Sequence, residues 1–463
     1  MSKLFQIISP ANGELYAERS YADEKMVRDC LNRSAKAFQN WRLTPLEKRR
    51  GLCTLAVGYF KEHADEWGKE ITMQMGRPIR YTPDEISSGF AERAEHMISI
   101  ADGALKSIDL PQKQGFRRYI KKEPLGTVLV LSPWNYPYLT AVNAVIPALM
   151  AGNCVILKHA DQTALCAERY LEAFQYAGLP EGVFQYLHIT HKQVAEVIGD
   201  SSIKHVAFTG SEKGGRAVQK AARRRFISAG LELGGKDPAY IAKDADISYS
   251  AEGVAEGAFF NSGQSCCGIE RVYVHKNIYD EFLEKLVEVT KNYRLGDPLK
   301  PETTLGPMVR KSNAEKADNE IRRAIEQGAK PLIGFSDFPD LSYPLLAPQI
   351  LVNVDHTMNI MQNEMFAPAI GVMSVESDEK AIRLMNDSPY GLTASVWTRD
   401  PERAVAIGDK IETGTWFMNR CDYLDPALAW SGVKNSGRGC TLSVMGYDYL
   451  TRPKSYHLKM GPQ

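Results

Sequence analysis

Hydrophobic and polar positions divide the chain into a helical start and a long stretch of alternating strands and helices. In the first hundred residues, apolar side chains recur at helical spacing among many charges, which predicts helices over 22–41 and 45–75. A basic segment rich in β-forming residues follows at 116–122. From Leu125 onward, short apolar runs alternate with longer helical patterns, and Gly or Pro separates many of them.

The alternation predicts two successive groups of strand–helix units. The first group has strands at 127–131, 154–157 and 206–208 and helices at 138–151, 163–177 and 214–225. The second has strands at 237–241, 272–275, 371–375, 394–397 and 415–418 and helices at 248–260, 279–293, 378–385 and 401–407. Repeated βα units of this length imply parallel sheets with helices on both faces. The C-terminal segment 455–460 alternates like an edge strand.

Composition changes this picture little. The 463 residues suffice for two or three domains, and 56 basic residues balance 56 acidic ones, so no attraction to nucleic acid or anionic lipid is expected. No apolar stretch has the length of a membrane span and the N-terminus lacks a signal-peptide core, so we expect a cytoplasmic protein. The eight cysteines include no pair or cluster with His at metal-site spacing, so neither a disulfide framework nor a metal site is indicated.

A thiol and a carboxylate supply candidate chemistry. Cys266 ends the run Asn-Ser-Gly-Gln-Ser-Cys, whose residues favour a loop that presents the thiol and its backbone N–H. Glu232 lies between an apolar stretch and two glycines, where partial burial would raise its pKa towards that of a general base. Together they suggest an enzyme that forms a covalent thioester and hydrolyses it. The residues alone do not distinguish Cys266 from the neighbouring Cys267, and an isolated cysteine is usually a buried apolar residue.

Other loops follow predicted strands, where ligands bind in open α/β sheets. In the run Pro-Trp-Asn-Tyr-Pro, the Asn135 amide is placed to donate to an oxyanion, although a structured turn explains the run equally well. Backbone N–H groups of the turn around Gly210 and Ser211 suit a pyrophosphate, but the turn is not a GxGxxG motif. Asp161, close after Lys158, suits a ribose hydroxyl and would repel a 2′-phosphate.

In this order and spacing, the motifs resemble the aldehyde dehydrogenase family over nearly the whole chain. They are Pro-Trp-Asn-Tyr-Pro, Leu-Lys, Phe-Thr-Gly-Ser, Glu-Leu-Gly-Gly-Lys, Asn-Ser-Gly-Gln-Ser-Cys, Leu-Gly-Pro-Met, Glu-Met-Phe-Ala-Pro and Lys-Asn-Ser-Gly. The resemblance implies an α/β fold in three parts: a Rossmann-like NAD-binding domain (1–103 and 125–235), an α/β catalytic domain (236–440) and a small β oligomerisation arm (104–124 and 441–463). It also implies a homodimer or homotetramer.

The resemblance assigns roles that the residues alone leave open. Cys266 matches the nucleophile, Glu232 the general base, and Asn135 with the Cys266 backbone N–H the oxyanion hole. Glu364 matches the residue that holds the nicotinamide ribose, and Phe366 one that packs near the nicotinamide. The remaining matches to cofactor contacts are Ser132, Trp134, Lys158, Gly210, Ser211, Gly215 and Leu233. The implied reaction is NAD-dependent oxidation of an aldehyde, with NADP as the alternative cofactor.

Departures from the family pattern bear on the substrate. Some succinate-semialdehyde dehydrogenases share the Lys-His-Ala run that begins at Lys158, but they commonly carry an Arg where this chain has Asn143. Without that charge, and with Trp430 and Tyr423 near the expected pocket, we predict an uncharged, medium-sized or aromatic aldehyde, with succinate semialdehyde as the alternative. The family's Gly-Arg-Glu-Leu-Gly run here has threonine in place of its Glu, so no second proton relay through that Glu is expected.

Two rival interpretations remain. In a CoA-acylating relative, CoA rather than water takes the acyl group, and such relatives usually lack the Glu that stands here at 232. A non-catalytic member that kept the fold as a binding component would be expected to lose the thiol, the base or the oxyanion donor, and all three are present.

Overall fold

The computed structural model describes residues 3–334 and 344–461, and it opens with a hairpin that the helical prediction missed. The N-terminal elements are β1 (Leu4–Ile8), β2 (Leu15–Ser20), α1 (Glu24–Trp41), α2 (Leu46–Glu62), α3 (Ala64–Met75), α4 (Thr82–Asp84), a π-helix (Glu85–Phe90) and α5 (Ala91–Leu105). Phe5 and Ile7 alternate with exposed neighbours in β1, a two-residue period hidden within a predominantly helical region. The predicted helix 45–75 is interrupted at His63, whose backbone leaves the helical conformation.

The predicted βα units of the first group are confirmed and extended. The elements that follow are β3 (Ile108–Asp109), β4 (Phe116–Pro124), β5 (Thr127–Ser132), α6 (Pro137–Ala151), β6 (Cys154–His159), a 3₁₀ turn (Asp161–Thr163), α7 (Leu165–Tyr176), β7 (Phe184–Tyr186), α8 (His191–Gly199), β8 (Ile203–Thr209), α9 (Glu212–Ala222) and β9 (Ser228–Glu232). Gly152 ends α6 in the left-handed conformation (φ 93°), which glycine adopts without steric cost.

The second group is likewise α/β. Its elements are β10 (Asp237–Ile241), α10 (Ile247–Phe259), 3₁₀ turns (Phe260–Gly263 and Lys276–Ile278), β11 (Ile269–His275), α11 (Tyr279–Lys291), α12 (Lys311–Glu326), β12 (Lys330–Pro331), β13 (Gln349–Val352), α13 (Asn359–Gln362), β14 (Ala369–Val375), α14 (Asp378–Asn386), β15 (Tyr390–Gly391), β16 (Thr393–Trp397), α15 (Pro401–Gly408), β17 (Thr415–Met418), β18 (Val433–Lys434), β19 (Gly437–Arg438), α16 (Ser443–Tyr449) and β20 (Thr451–Lys459).

Two large sheets organise these elements. The first has the order β19-β9-β8-β5-β6-β7 and is parallel except for β19; the second has the order β12-β13-β14-β11-β10-β16-β17 and is parallel except for β12. Every residue of β5 and β6 is buried, as expected for parallel strands covered on both faces. The carboxyl ends of β5, β8 and β9 therefore lie together at one edge of the first sheet, where their loops form a site.

A third sheet, β20-β4-β3, pairs the C-terminal strand with β4 over nine positions from Thr451 to Lys459. Meanwhile β19, from late in the chain, joins the first sheet through Gly437 and Arg438. The domain boundaries given above stay a prediction. Among residues 3–334 and 344–461, no helix combines the length and apolar character needed to cross a membrane.

Candidate active site

The loop that carries Cys266 is held in an unusual backbone conformation. Asn261 (φ 54°) and Ser262 (φ 56°) both adopt the left-handed region, which is costly for residues other than glycine. The Asn261 Nδ2 donates to the backbone oxygens of Asn135 (3.2 Å) and Gln264 (3.1 Å), and Gln264 Nε2 donates back to Asn261 O (3.0 Å). These buried hydrogen bonds tie the cysteine loop to the loop after β5.

The structure separates the two neighbouring thiols. Cys267 is 3% exposed, and its Sγ donates a hydrogen bond to Asp422 Oδ1 at 2.8 Å. A hydrogen bond to the Cys266 thiol together with burial raises the pKa of Cys267 well above its usual range, so its reactive thiolate is scarce. Cys266 is only partly buried and lines a cavity of about 510 Å³. Cys267 borders the same cavity but is almost fully buried, so Cys266 is the more accessible of the two thiols.

Glu232 lines the same cavity at the end of β9. Its two carboxylate oxygens accept hydrogen bonds from the hydroxyls of Thr209 (2.8 Å) and Thr441 (2.5 Å). Burial raises the pKa of Glu232, although both threonine hydrogen bonds and the charge of Arg93 oppose the shift. The two threonine hydroxyls thus fix the orientation of the carboxylate.

Asn135 is buried beside the cysteine loop. Its Nδ2 donates to Gln264 O at 3.2 Å, and its own backbone oxygen accepts from Asn261 and from the Arg77 guanidinium. An amide nitrogen carries two hydrogens, so one N–H of Asn135 remains for a further acceptor. Of the three residues predicted to be catalytic, Cys266 and Glu232 line one cavity, and Asn135 is tied by hydrogen bonds to the loop that carries Cys266.

Sequence reasoning missed a buried ion pair that supports this arrangement. Arg77 Nη1 lies 2.5 Å from Glu85 Oε2, its Nε donates to Asn261 Oδ1 (3.1 Å), and its guanidinium lies 4.3 Å from the ring centroid of Tyr136. Glu85 Oε1 in turn accepts the backbone N–H of Tyr138 (2.8 Å) at the start of α6. No local sequence signal identifies Arg77, because two of its partners, Asn135 and Asn261, lie far away along the chain.

Arg93 is a second residue that the sequence analysis did not single out. It extends from α5 into the cavity that Cys266 and Glu232 line. Its Nη1 donates to Leu139 O at 2.7 Å and to Asn143 Oδ1 at 3.3 Å. The cation that appeared to be missing at Asn143 is therefore supplied from another helix.

The predicted cofactor residues lie around the carboxyl ends of the first sheet. Ser132 shares a hydrogen bond with Thr140 (2.9 Å) after β5, and after β6 the Lys158 Nζ lies 2.9 Å from Asp161 Oδ1. Tyr21 also donates to Asp161, at 2.6 Å. Burial acts to raise the pKa of Asp161, but Lys158 and Tyr21 outweigh it and the pKa is lowered. An anion thus stands at the edge where an adenosine ribose would bind.

The turn between β8 and α9 is closely packed. Ser211 Oγ caps α9 by accepting the Gly214 N–H at 3.2 Å, and Gly210 N donates to Glu232 O at 3.0 Å. A Cβ atom on Gly215 would lie 2.7 Å from a methyl group of Leu233, so any larger residue would push the Leu233 side chain aside. The open N-terminus of α9 suits a phosphate group.

Trp134 contacts Phe366, and Glu364 lies beside the two glycines that follow Leu233. The rings of Trp134 and Phe366 contact edge to face at 5.6 Å, and Phe366 has a left-handed backbone (φ 53°). Glu364 Oε1 accepts the Gly235 N–H at 3.2 Å, and a side chain on Gly234 would clash with the Glu364 carboxylate. Burial, with Glu270 nearby, raises the pKa of Glu364 to about 8.

Comparison with known proteins settles the family. The model of the aldehyde dehydrogenase family matches residues 1–456. The chain belongs to the aldehyde dehydrogenase family. It is 31% identical over 447 residues to the succinate semialdehyde dehydrogenase [NAD(P)+] Sad of Escherichia coli (95% of this chain, 94% of that protein). It is also 31% identical over 466 residues to a phenylacetaldehyde dehydrogenase of Pseudomonas fluorescens (98% and 92%).

A solved relative extends the likeness to three dimensions. The succinic semialdehyde dehydrogenase of Streptococcus pyogenes, solved with NADP+, has a TM-score of 0.94 and 29% identity, covering 98% of this chain and 100% of that one. The fold is the aldehyde dehydrogenase fold, and the protein is an enzyme that uses NAD or NADP. The glycine-lined turn at α9 and the carboxylates Asp161 and Glu364 fit such a cofactor. Within the described part of the chain, no cluster of three or more His, Cys, Asp or Glu side chains suits a metal ion.

Proposed function

We propose that this aldehyde dehydrogenase oxidises an aldehyde to a carboxylic acid with NAD, through a thioester on Cys266. The observation that carries the proposal is that the accessible Cys266 thiol and the Glu232 carboxylate line one cavity. A thiolate adds to the aldehyde carbon and forms a thiohemiacetal; loss of a hydride from that carbon leaves the thioester. NAD, when bound, would supply the acceptor for that hydride.

The oxyanion that forms on addition requires a donor. Asn135 keeps one amide N–H unused by Gln264, and the Cys266 backbone N–H is the second candidate donor. Arg77 and Asn261 hold these two loops against each other, so the donor and the thiol stay in register. This preorganisation is what an oxyanion hole needs, because reorganisation during the reaction would cost rate.

Glu232 completes the cycle as the general base. Since burial raises its pKa, the carboxyl group exchanges protons nearer to neutral pH than an exposed glutamate does. It takes a proton from a water molecule, and the hydroxide attacks the thioester carbon and releases the carboxylic acid and the Cys266 thiolate. The presence of this base also argues against a CoA-acylating enzyme, in which CoA takes the acyl group.

The first test is NAD and NADP reduction by the purified enzyme over a panel of aldehydes. We expect kcat/KM to be higher with NAD, because the Asp161 carboxylate would repel a 2′-phosphate. Replacing Asp161 with asparagine should lower the ratio of kcat/KM for NAD to kcat/KM for NADP by about tenfold. This is the effect of removing one nearby charge worth about 1.4 kcal/mol. Glu402→Gln on the exposed face of α15 serves as control. Formation of an acyl-CoA rather than an acid, or a preference for NADP that Asp161→Asn leaves unchanged, would contradict the proposal.

Glu364 makes cofactor binding depend on pH. With a pKa of about 8, its carboxyl group is largely protonated at neutral pH. Ribose hydroxyls donate hydrogen bonds best to the ionised form, so the KM for NAD should fall by about tenfold as the pH rises from about 7 to about 9. The Glu364→Gln enzyme should have a higher KM for NAD, and this KM should not change with pH. An unchanged pH dependence in that variant would show that another group controls cofactor binding.

The cavity favours two substrate classes for different reasons. Trp430 and Tyr423 line it, which supports an uncharged, medium-sized or aromatic aldehyde. Arg93 lines it as well and removes the objection that Asn143 raised against a carboxylate-bearing aldehyde such as succinate semialdehyde. On the grounds of charge, a carboxylate-bearing aldehyde is therefore an equal candidate.

We further propose that the enzyme self-associates, as a dimer or tetramer, in the cytoplasm. In the arm sheet, β20 is paired on one side only, and most of its residues are exposed. A long strand with an open edge tends to be covered by another chain. Size-exclusion chromatography with light scattering distinguishes these states from a monomer.

A further inference from the structure

Arg93 is a buried cation with an open side. It is 8% exposed, and its Nη1 donates hydrogen bonds to Leu139 O and to Asn143 Oδ1. Among residues 3–334 and 344–461, no carboxylate lies within 4.0 Å of its guanidinium, and no atom accepts from its Nε or Nη2. A charge in this position is costly unless something pairs with it.

The acidic groups nearest to Arg93 are already engaged. Both oxygens of Glu232 accept threonine hydroxyls, and Glu85 pairs with Arg77 while capping α6. Asp422 accepts from Ser265 and from Cys267. Burial lowers the pKa of Arg93, yet a guanidinium starts so high that it stays charged at neutral pH. Arg93 therefore lines the cavity with N–H donors that no acceptor in the described part of the chain occupies.

We propose that Arg93 selects aldehydes that carry a carboxylate at the end remote from the aldehyde group, by pairing with that carboxylate inside the cavity. The proposal rests on the proposed function of Cys266 and Glu232. A guanidinium presents a planar fork of N–H donors that matches a carboxylate, and the Asn143 contact orients that fork. Asn143 thus acts as a positioning residue for the charge.

Three exposed carboxylates line the cavity and oppose an anion, while the exposed Arg420 favours one. Glu92, Glu252 and Glu256 are exposed, and Glu92 accepts a hydrogen bond from the Tyr423 hydroxyl at 2.5 Å. Exposed charges are strongly screened by salt, whereas a buried charge is screened much less. Arg93 should therefore determine the preference of a substrate that has entered. If the exposed acids prevail instead, the enzyme will prefer a cationic aldehyde.

The test compares three aldehydes of matched length, with a carboxylate, a methyl ester or a trimethylammonium group at the remote end. With the wild-type enzyme we expect the highest kcat/KM for the carboxylate. Arg93→Gln should lower kcat/KM for the carboxylate on the order of 100-fold, mainly through KM, and change it less than about threefold for the ester. Arg93→Lys should recover part of the loss. Arg420→Gln is the matched control, since Arg420 lines the cavity but is exposed and stacked on Tyr423.

The alternative role for Arg93 is to stabilise the thiolate of Cys266. In that case Arg93→Gln would slow all three aldehydes equally and would shift the pH dependence of Cys266 alkylation by neutral iodoacetamide. That result, or a wild-type preference for the ester or the cation, overturns the proposal while leaving aldehyde oxidation intact. Loss of turnover with every aldehyde in the wild-type enzyme would instead reject the proposed function. Thermal unfolding and NAD binding of each variant show whether it folds.

Discussion

Replacing Cys266 with serine is expected to lower kcat for aldehyde oxidation by about 10⁴-fold or more, the scale seen when a nucleophile is removed. A serine hydroxyl is a weak nucleophile without a base to activate it, and no thioester can form. Reduction of NAD by the purified variant measures the loss. Binding of NAD and the unfolding temperature should stay near the wild-type values, because the thiol is only partly buried and serine has nearly the same shape as cysteine.

Cys267→Ser is the matched control for this variant. The serine hydroxyl can still donate to Asp422 Oδ1, so the buried contact survives and kcat should fall by less than about tenfold. Neutral iodoacetamide should inactivate the wild-type enzyme and the Cys267→Ser variant alike. If Cys267→Ser abolishes turnover while Cys266→Ser retains it, the assignment of the nucleophile is wrong.

Much of the α/β architecture could be predicted, for a physical reason. Strands buried on both faces must be apolar throughout, as β5 and β6 are, and such runs stand out between polar helix surfaces. Gly152 ends α6, because glycine adopts the left-handed conformation without steric cost. Two elements with weaker sequence patterns were not predicted: the N-terminal hairpin and the π-helix that contains Glu85. The π-helix follows from tertiary packing rather than from a period in the sequence.

The site, too, could be predicted from the sequence only in part. The residue types at Cys266, Glu232 and Asn135 suggested their chemistry, and family motifs supplied their likeness to known roles. Composition did not separate Cys266 from Cys267, because the difference lies in the hydrogen bond to Asp422, which is distant in the chain. Likewise Asn143 alone suggested that the cavity lacks a cation, since Arg93 reaches it from another helix. Contacts between distant segments carry information that no local pattern contains.

Two threonine hydroxyls hold the Glu232 carboxylate. Thr441 takes the position of a family glutamate and donates directly to Oε1, while Thr209 donates to Oε2. Two hydroxyl donors stabilise the ionised carboxylate, whereas burial favours the neutral form, and burial prevails. Each carboxylate oxygen keeps a second lone pair, so Glu232 can accept a hydrogen bond from water while both threonines hold it.

Replacing Glu232 with glutamine is expected to stop the reaction at the thioester. Gln has the same shape but cannot take a proton from water, and removing a general base typically costs about 10²–10⁴-fold in rate. Rapid mixing of the variant with NAD and aldehyde should give a burst of about one NADH per active site, followed by slow turnover. Mass spectrometry of the quenched protein should find the acyl group on the peptide that contains Cys266.

The pH dependence provides a second, independent readout of this variant. Because the pKa of Glu232 is raised, the wild-type rate of deacylation should rise with pH as the carboxyl group ionises, over a range above that of an exposed glutamate. This limb should vanish in Glu232→Gln. Glu252→Gln, which removes an exposed carboxylate from the same cavity, should retain both the limb and the rate. A Glu232→Gln enzyme without a burst, or with wild-type steady-state turnover, would assign the base to another residue.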